Sequence, residues 1–197
     1  MRYDDNHKEK TRAKVLQVAS RAIREDGPGG VGLASIMAEA GLTHGGFYAH
    51  FKSKDDLVTE AIRQMFRDAS GRFAETTGEM PPGEALSAYI RFYLSRSHRD
   101  GRNIGCPLPS LSADLARLPA EAQVVFGEGV ARLTGFIAEK LEAMGRSEPR
   151  ALAASVLSEL VGAVSLARAV ADPAQSDAIL KASRAALRAR LGLEALR

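Results

Sequence analysis

Apolar residues along this chain recur at spacings of three and four, and nowhere do aromatic or β-branched residues alternate with polar ones over a useful length. That pattern predicts an all-α protein. Val15, Ala19, Ala22 and Ile23 mark one stripe of a first helix over about 6–25, which Asp26-Gly27-Pro28-Gly29-Gly30 should stop. A short second helix covers about 33–40, with Gly41 as its left-handed end. Thr43 can cap a third helix of about seven residues ending near Phe51. Ser53 can cap a fourth, which opens Lys54-Asp55-Asp56 and buries Leu57, Val58, Ala61, Ile62, Met65, Phe66 and Phe73.

Beyond the break at 77–83, which contains Pro81-Pro82, the spacing predicts a helix over 84–97, an irregular proline-containing piece over 105–118 and a helix over 120–144. Two last helices, 148–171 and 176–191, are parted by Asp172-Pro173. The first of these carries only Glu159 and Arg168 as charges between Leu152 and Val170, so it is apolar nearly all round and should be buried on several sides. A terminal helix pair in a chain this small has few internal partners. The pattern therefore predicts a homodimer through a four-helix interface, with Val164 among the covered positions.

Composition narrows the class. With 197 residues, 45% hydrophobic and 26% charged, the chain can build one or two small domains with a real core. Its single cysteine excludes an internal disulfide framework, and the start MRYDDNHKEK has no apolar segment that could serve as a secretory signal. The stretch 160–171 is too short for a bilayer span and is interrupted by Arg168, so the expectation is a cytoplasmic protein without a membrane partner. Net charge is only +3, but residues 1–24 hold Arg2, Lys8, Lys10, Arg12, Lys14, Arg21 and Arg24 against Asp4, Asp5 and Glu9. Positive charge at one end points to an anionic partner there.

A basic helix, then helix, tight turn and short helix, then a helix opening Ser-Lys, is the layout of a helix-turn-helix DNA-binding unit. Ile36, Ala40-Gly41-Leu42-Thr43, Gly45, Phe47-Tyr48, His50-Phe51, Ser53-Lys54 and Leu57 stand at the spacing of one family. Through them the sequence resembles the TetR/AcrR family of transcriptional regulators. The resemblance is strong over 8–68, with the helix-turn-helix at about 32–51; 69–197 matches only in helical layout and length.

The resemblance implies a DNA-binding domain over 8–68 and an effector-binding and dimerisation domain over 69–197. It implies that Thr43 caps the recognition helix and contacts phosphate, that His44, Gly45 and Gly46 open that helix against the major groove, and that Tyr48, His50 and Lys54 contact DNA. The partners it implies are a double-stranded operator and a small-molecule effector, the usual action being repression. Phe47, Phe51, Leu42 and Ile36 are the expected local core. Gly32 departs from the family pattern, standing where a Ser or Thr cap is usual, and Ala49 replaces a bulkier residue. Gly45 and Gly46 each cost about 1 kcal/mol of helix propensity. Without Cβ atoms they let the helix backbone approach a DNA strand, which leaves few long side chains for base readout and gives DNA shape a larger share.

Other readings of the residues are weaker. The glycines of 26–32 follow no strand and precede no Lys-Ser or Lys-Thr, so they form a helix stop and not a phosphate loop. His44 and His50 have no Cys or Glu at ligand spacing, and no metal or other cofactor is expected. Tyr89, Phe92, Tyr93, Phe126, Leu133 and Phe136 on amphipathic helices serve equally as core or as the lining of an effector pocket. Cys106, within Gly105-Cys106-Pro107-Leu108-Pro109, has two readings. If Pro107 opens a helix, Cys106 sits at an N-cap near Arg99 and Arg102 and becomes a redox or electrophile sensor or an effector contact; Pro109 opposes that helix and leaves an inert buried thiol. As an enzyme nucleophile it would need a base, and His98 has no visible orienting partner, so no catalytic residues are assigned.

Overall fold

Proline in the first turn of a helix forfeits no hydrogen bond and presets the backbone. Helices begin on Pro82, Pro149 and Pro173, and a short one has Pro109 as its second residue. The computed structural model describes residues 2–195, with side chains from Asn6 onward; those of Arg2, Asp4 and Asp5, part of the expected basic arm, lie outside the described residues. In chain order the elements are α1 (Arg2–Gly30), α2 (Leu33–Glu39), a 3-10 helix (His44–Ala49), α3 (Lys54–Thr77), α4 (Pro82–Tyr93), α5 (Arg96–Asp100), a 3-10 turn (Arg102–Ile104), α6 (Leu108–Leu111), a second such turn (Leu115–Arg117), α7 (Ala120–Ala143), α8 (Pro149–Ala169) and α9 (Pro173–Leu191). No strand occurs among the described residues, and the fold is all-α.

The expected stop of the first helix falls at Gly27, whose backbone (φ 75, ψ 166) breaks α1 before a last turn built on Pro28. The predicted helix over 84–97 is two helices. Leu94 leaves helical geometry (φ −93, ψ 33), and Ser95 starts α5 by accepting a hydrogen bond from the His98 amide. The predicted irregular piece contains α6, because Pro109 falls in its first turn, where a missing N–H costs nothing. Its N-cap is Pro107, so Cys106 lies one residue outside the helix and not at the cap position. Asp172 caps α9 through the amides of Ala174 and Gln175, which moves that helix's start ahead of the expected Ser176.

Contacts divide the chain into two compact units, the first formed by residues up to Arg67 with Arg102–Gly127, the second by Asp68–Gly101 with the chain from Glu128 on. The first unit has its core in Val15, Ala19 and Ile23 of α1, Leu57, Ala61, Ile62 and Met65 of α3, and Leu108 and Leu111 of α6, with Phe126 edge-on to Phe66 at 5.4 Å. Each large apolar side chain buried here contributes about 1.5–3 kcal/mol.

In the second unit α8 packs on α9, and Val156, Leu157, Leu160 and Val164 of α8 and Leu180 and Leu187 of α9 are buried. By length and composition α8 could cross a membrane, with a mean hydropathy of 1.4 over its most apolar window, which corrects the shorter span read from the sequence. Its Glu159 and Arg168 are nevertheless engaged inside the unit. Arg190 pairs with Glu159 at 2.9 Å, and Arg168 donates to the carbonyls of His98 (3.0 Å) and Arg99 (2.9 Å), satisfying the end of α5. Nor is α8 buried on all sides. Ala151, Ala154, Ser155, Ser158 and Ala169 are exposed in the single chain and Leu166 is 60% exposed, whereas Val164 is wholly buried within its own unit.

His98 sits among Phe92 and Tyr93 and donates from Nδ1 to the Tyr93 carbonyl at 2.7 Å. Burial pushes its pKa down to about 4; the bond to Tyr93 opposes this, and the charges of Arg168 and Arg72 add to it. As pH falls below the ordinary value of 6.5, the unfolded chain takes up this proton before the folded one does, so stability is lost between 6.5 and 4. From pH 7 to 5 the loss should be about 2 kcal/mol in denaturant unfolding. His98→Asn should lose less over that interval while being weaker at pH 7. Equal losses in the two proteins would show that His98 does not carry the dependence.

Candidate nucleic-acid interface

A 3-10 helix of six residues with glycine at its second and third positions has little stability of its own, so its neighbours must position it. Gly41 ends α2 in the left-handed region (φ 74), and the amides of Gly41 and Leu42 bond back to the carbonyls of Ala38 and Met37, both at 2.9 Å. After this turn Phe47 is wholly buried and stacks on the equally buried Phe51, with ring centroids 5.6 Å apart. Ile36 and Met37 of α2 are buried too, while Leu42 is half-buried. Arg12 of α1 lays its guanidinium over the Phe51 ring at 5.0 Å and pairs with Glu60 of α3 at 3.1 Å. One side chain thereby joins α1, the 3-10 helix end and α3. Glu60 is held below the usual carboxylate range by its bonds to Arg12 and Arg63, which outweigh its own burial.

What the core leaves outside is a surface. Thr43, His44, Gly45, Tyr48, Ala49 and Lys52 are exposed, and Gly46, His50 and Lys54 are half-exposed. Tyr48 is 68% exposed and touches Phe47 edge-on at 5.2 Å. Thr43 occupies the N-cap position but makes no side-chain capping bond, so its hydroxyl is not committed to the helix. Ser53 does cap α3: its Oγ accepts from the Asp56 amide at 3.1 Å, and Asp56 accepts from the Lys52 amide at 2.8 Å. Lys54 is therefore fixed at the positive end of a long helix. Residues 40–54 contain no acid, and exposed Lys8, Lys10 and Lys14 of α1 add to the positive field.

His50 closes the 3-10 helix. Its Nδ1 is buried without a hydrogen-bond partner, and burial, then the charges of Lys8 and Arg12, lower its pKa. At neutral pH it is an uncharged imidazole beside two cations. Neither Gly45 nor Gly46 has a left-handed backbone. A Cβ at Gly45 would meet nothing within 4 Å, and at Gly46 only Thr43 Oγ1 at 3.8 Å and Met37 Cε at 3.9 Å. The fold of the chain itself does not require glycine at either position.

The residues expected around an effector divide between the two units. Tyr89, Tyr93 and Leu133 are buried and Phe92 half-buried in the second, where Tyr89 lies 4.6 Å from Phe73 and 5.7 Å from Tyr93. Cys106 and Phe126 are buried in the first. Sequence reasoning missed Phe73 and His98 as members of the aromatic cluster; the Ser95 cap, which turns His98 inward, was the available signal. A groove of about 850 Å³ runs along α7 and the start of α8, past Ala131, Gly135 and Ala138, and none of the expected effector contacts lines it. No three His, Cys, Asp or Glu side chains among the described residues converge to hold a metal ion.

A short helix set on a basic stretch without acids, in an all-α chain, is the layout of a helix-turn-helix DNA-binding unit. Residues 15–61 match the signature of the bacterial regulatory proteins of the tetR family. The chain is 29% identical over 150 residues to the HTH-type transcriptional regulator LmrA of Bacillus subtilis, covering 75% of this chain and 79% of that one. Among solved structures, the reduced form of E. coli NemR superposes with a TM-score of 0.81 at 21% identity, covering 91% of this chain and 96% of the other. A TetR-family regulator from Agrobacterium tumefaciens does so with a TM-score of 0.77 at 26% identity, over 90% and 97%. Residues 15–61 therefore carry the tetR-family DNA-binding signature, and the chain is similar over most of its length to TetR-family transcriptional regulators; its class is that of a DNA-binding regulator, not an enzyme.

Tyr48→Ala should abolish DNA binding in a gel-shift or anisotropy assay while costing no more than about 1 kcal/mol of stability, the worth of one edge-on ring contact. A large fall in thermal stability would instead assign the ring to the core.

Proposed function

We propose that two copies of this chain hold a palindromic operator through their 3-10 helices, repress transcription there, and release the DNA when a small-molecule effector binds. The observation that carries the DNA-facing assignment is the pair Gly45 and Gly46, where the chain has room for side chains and a backbone that tolerates them. A surface kept bare where nothing internal demands it suits close approach to a phosphate backbone. Around it Thr43, His44, Tyr48, His50 and Lys54 supply hydroxyl, imidazole, phenol and ammonium groups for phosphate and base contact. The DNA-binding domain is 8–68, with 102–127 packed upon it. The remainder of 69–197 serves effector binding and dimerisation, and Tyr89, Phe92, Tyr93 and Leu133 are its effector contacts. The exposed face of α8 centred on Leu166 takes the second copy; Val164, buried in its own unit, does not. A regulator of this kind works in the cytoplasm.

Gly45→Ala separates fold from interface. Removing a flexible residue from the unfolded chain should leave stability unchanged or raise it by about 0.4–1 kcal/mol. Operator affinity should fall at least tenfold, about 1.4 kcal/mol. Unchanged affinity would take the glycines out of the interface.

A second reading makes Cys106 the sensor, favoured by its burial within the same unit as the DNA-binding helices, where an adduct must displace packed neighbours. Exposure to a small electrophile or peroxide should then release DNA from the wild-type chain but not from Cys106→Ser. Equal release, or none in either, leaves the effector-gated regulator.

A further inference from the structure

Arg24 is the only Lys, Arg, Asp or Glu among the described residues that is buried, at 5% exposure. Burying a guanidinium inside a helical core is no default route to stability, since an apolar residue of similar size often serves as well or better. Its hydrogen bonds show what the position does. Nη1 donates to the carbonyl of Asn103 at 3.2 Å and Nη2 to the carbonyl of Met65 at 3.5 Å. Both of these acceptors are backbone atoms, so these two bonds tie Arg24 to where the α3 backbone and the turn Arg102–Ile104 lie.

The same helix holds the DNA-facing residues at its other end. Arg12 grips Phe51 and Glu60, and Arg24 follows twelve residues later, about 18 Å along the axis. Beyond Arg24 the left-handed Gly27 allows α1 to pass Asp114, whose Oδ2 would stand 3.4 Å from a Cβ there. Cys106, Leu108 and Leu111 are buried in this unit. The chain enters this segment at Arg102 directly from the second unit, which ends its first stretch at Gly101. A rigid rod gripped at both ends by charged, hydrogen-bonded side chains transmits displacement better than one resting on non-directional apolar contacts.

We infer that Arg24 is a positioning residue that couples DNA contact at His44–Ala49 to the placement of 102–111. Coupling of this kind is reciprocal: if movement of 102–111 changes DNA affinity, DNA must change the stability of 102–111. The inference rests on the DNA-binding reading of the 3-10 helix.

Hydrogen exchange of the full chain, with and without a duplex selected from random DNA, tests it. In the wild type, DNA should slow exchange at 42–54 and, by about fivefold or more, at 102–111. In Arg24→Met, which keeps the length and removes the donors, 42–54 should stay protected while the added protection at 102–111 disappears. Direct contact of 102–111 with DNA would survive that substitution, so persistence of protection in Arg24→Met overturns the inference. Protection in the wild type confined to 42–54 overturns it without any variant. If Arg24→Met does not fold, Arg24→Lys, which keeps the charge and loses the two-armed fork, makes the same comparison. A wild type with no protected residues in 42–54 and no duplex enrichment overturns the DNA-binding reading as well, and is distinct from the other outcomes.

Discussion

The burial of Phe47 and Phe51 is the constraint on which the rest of the interface depends. Six residues of 3-10 helix containing two glycines cannot hold a conformation in water. They are held because the Phe47 ring on their inner side is wholly buried and stacks on the buried Phe51 that follows. The two rings together contribute about 3–6 kcal/mol, more than the roughly 2 kcal/mol the two glycines cost together. Arg12 adds direction to that grip, and the Gly41 turn fixes where the helix begins. The outer side is then free to be chosen for what it touches.

This division explains which parts of the structure were legible in the sequence. The period of Val15, Ala19, Ile23 and of Leu57, Ala61, Ile62 reports helices whose inner faces are buried, and both helices are present. Gly41 and Ser53 are residue types with one strong local use each, and both perform it. The helix starts that went unread are those where a proline or serine opens a helix inside a segment otherwise marked as a breaker: Pro107-Leu108-Pro109, Asp172-Pro173 and Ser95. There a residue that ends a helix and one that opens it have the same identity, and only the next turn decides. The face of α8 was misjudged for another reason. Ala and Ser carry little hydropathic contrast, so a helix with one buried and one bare side looks apolar throughout.

The candidate site divides the same way. Thr43, His44, Gly45, Gly46, Tyr48, His50 and Lys54 are close in sequence on one short stretch, so locating the stretch locates the surface. The candidate effector contacts are far apart in sequence. Whether Cys106 joins Tyr89 or joins α1 depends on how 102–127 packs, which no local pattern encodes, and it is found with α1.

The most direct measurement of the central claim is selection of duplexes from random DNA by the intact chain, followed by titration of the selected duplex at several salt concentrations. The selected sequences should be two-fold symmetric, and the logarithm of the affinity should fall linearly and steeply with the logarithm of salt concentration as phosphate contacts release counterions. No enriched sequence, together with affinity indifferent to salt, would contradict it.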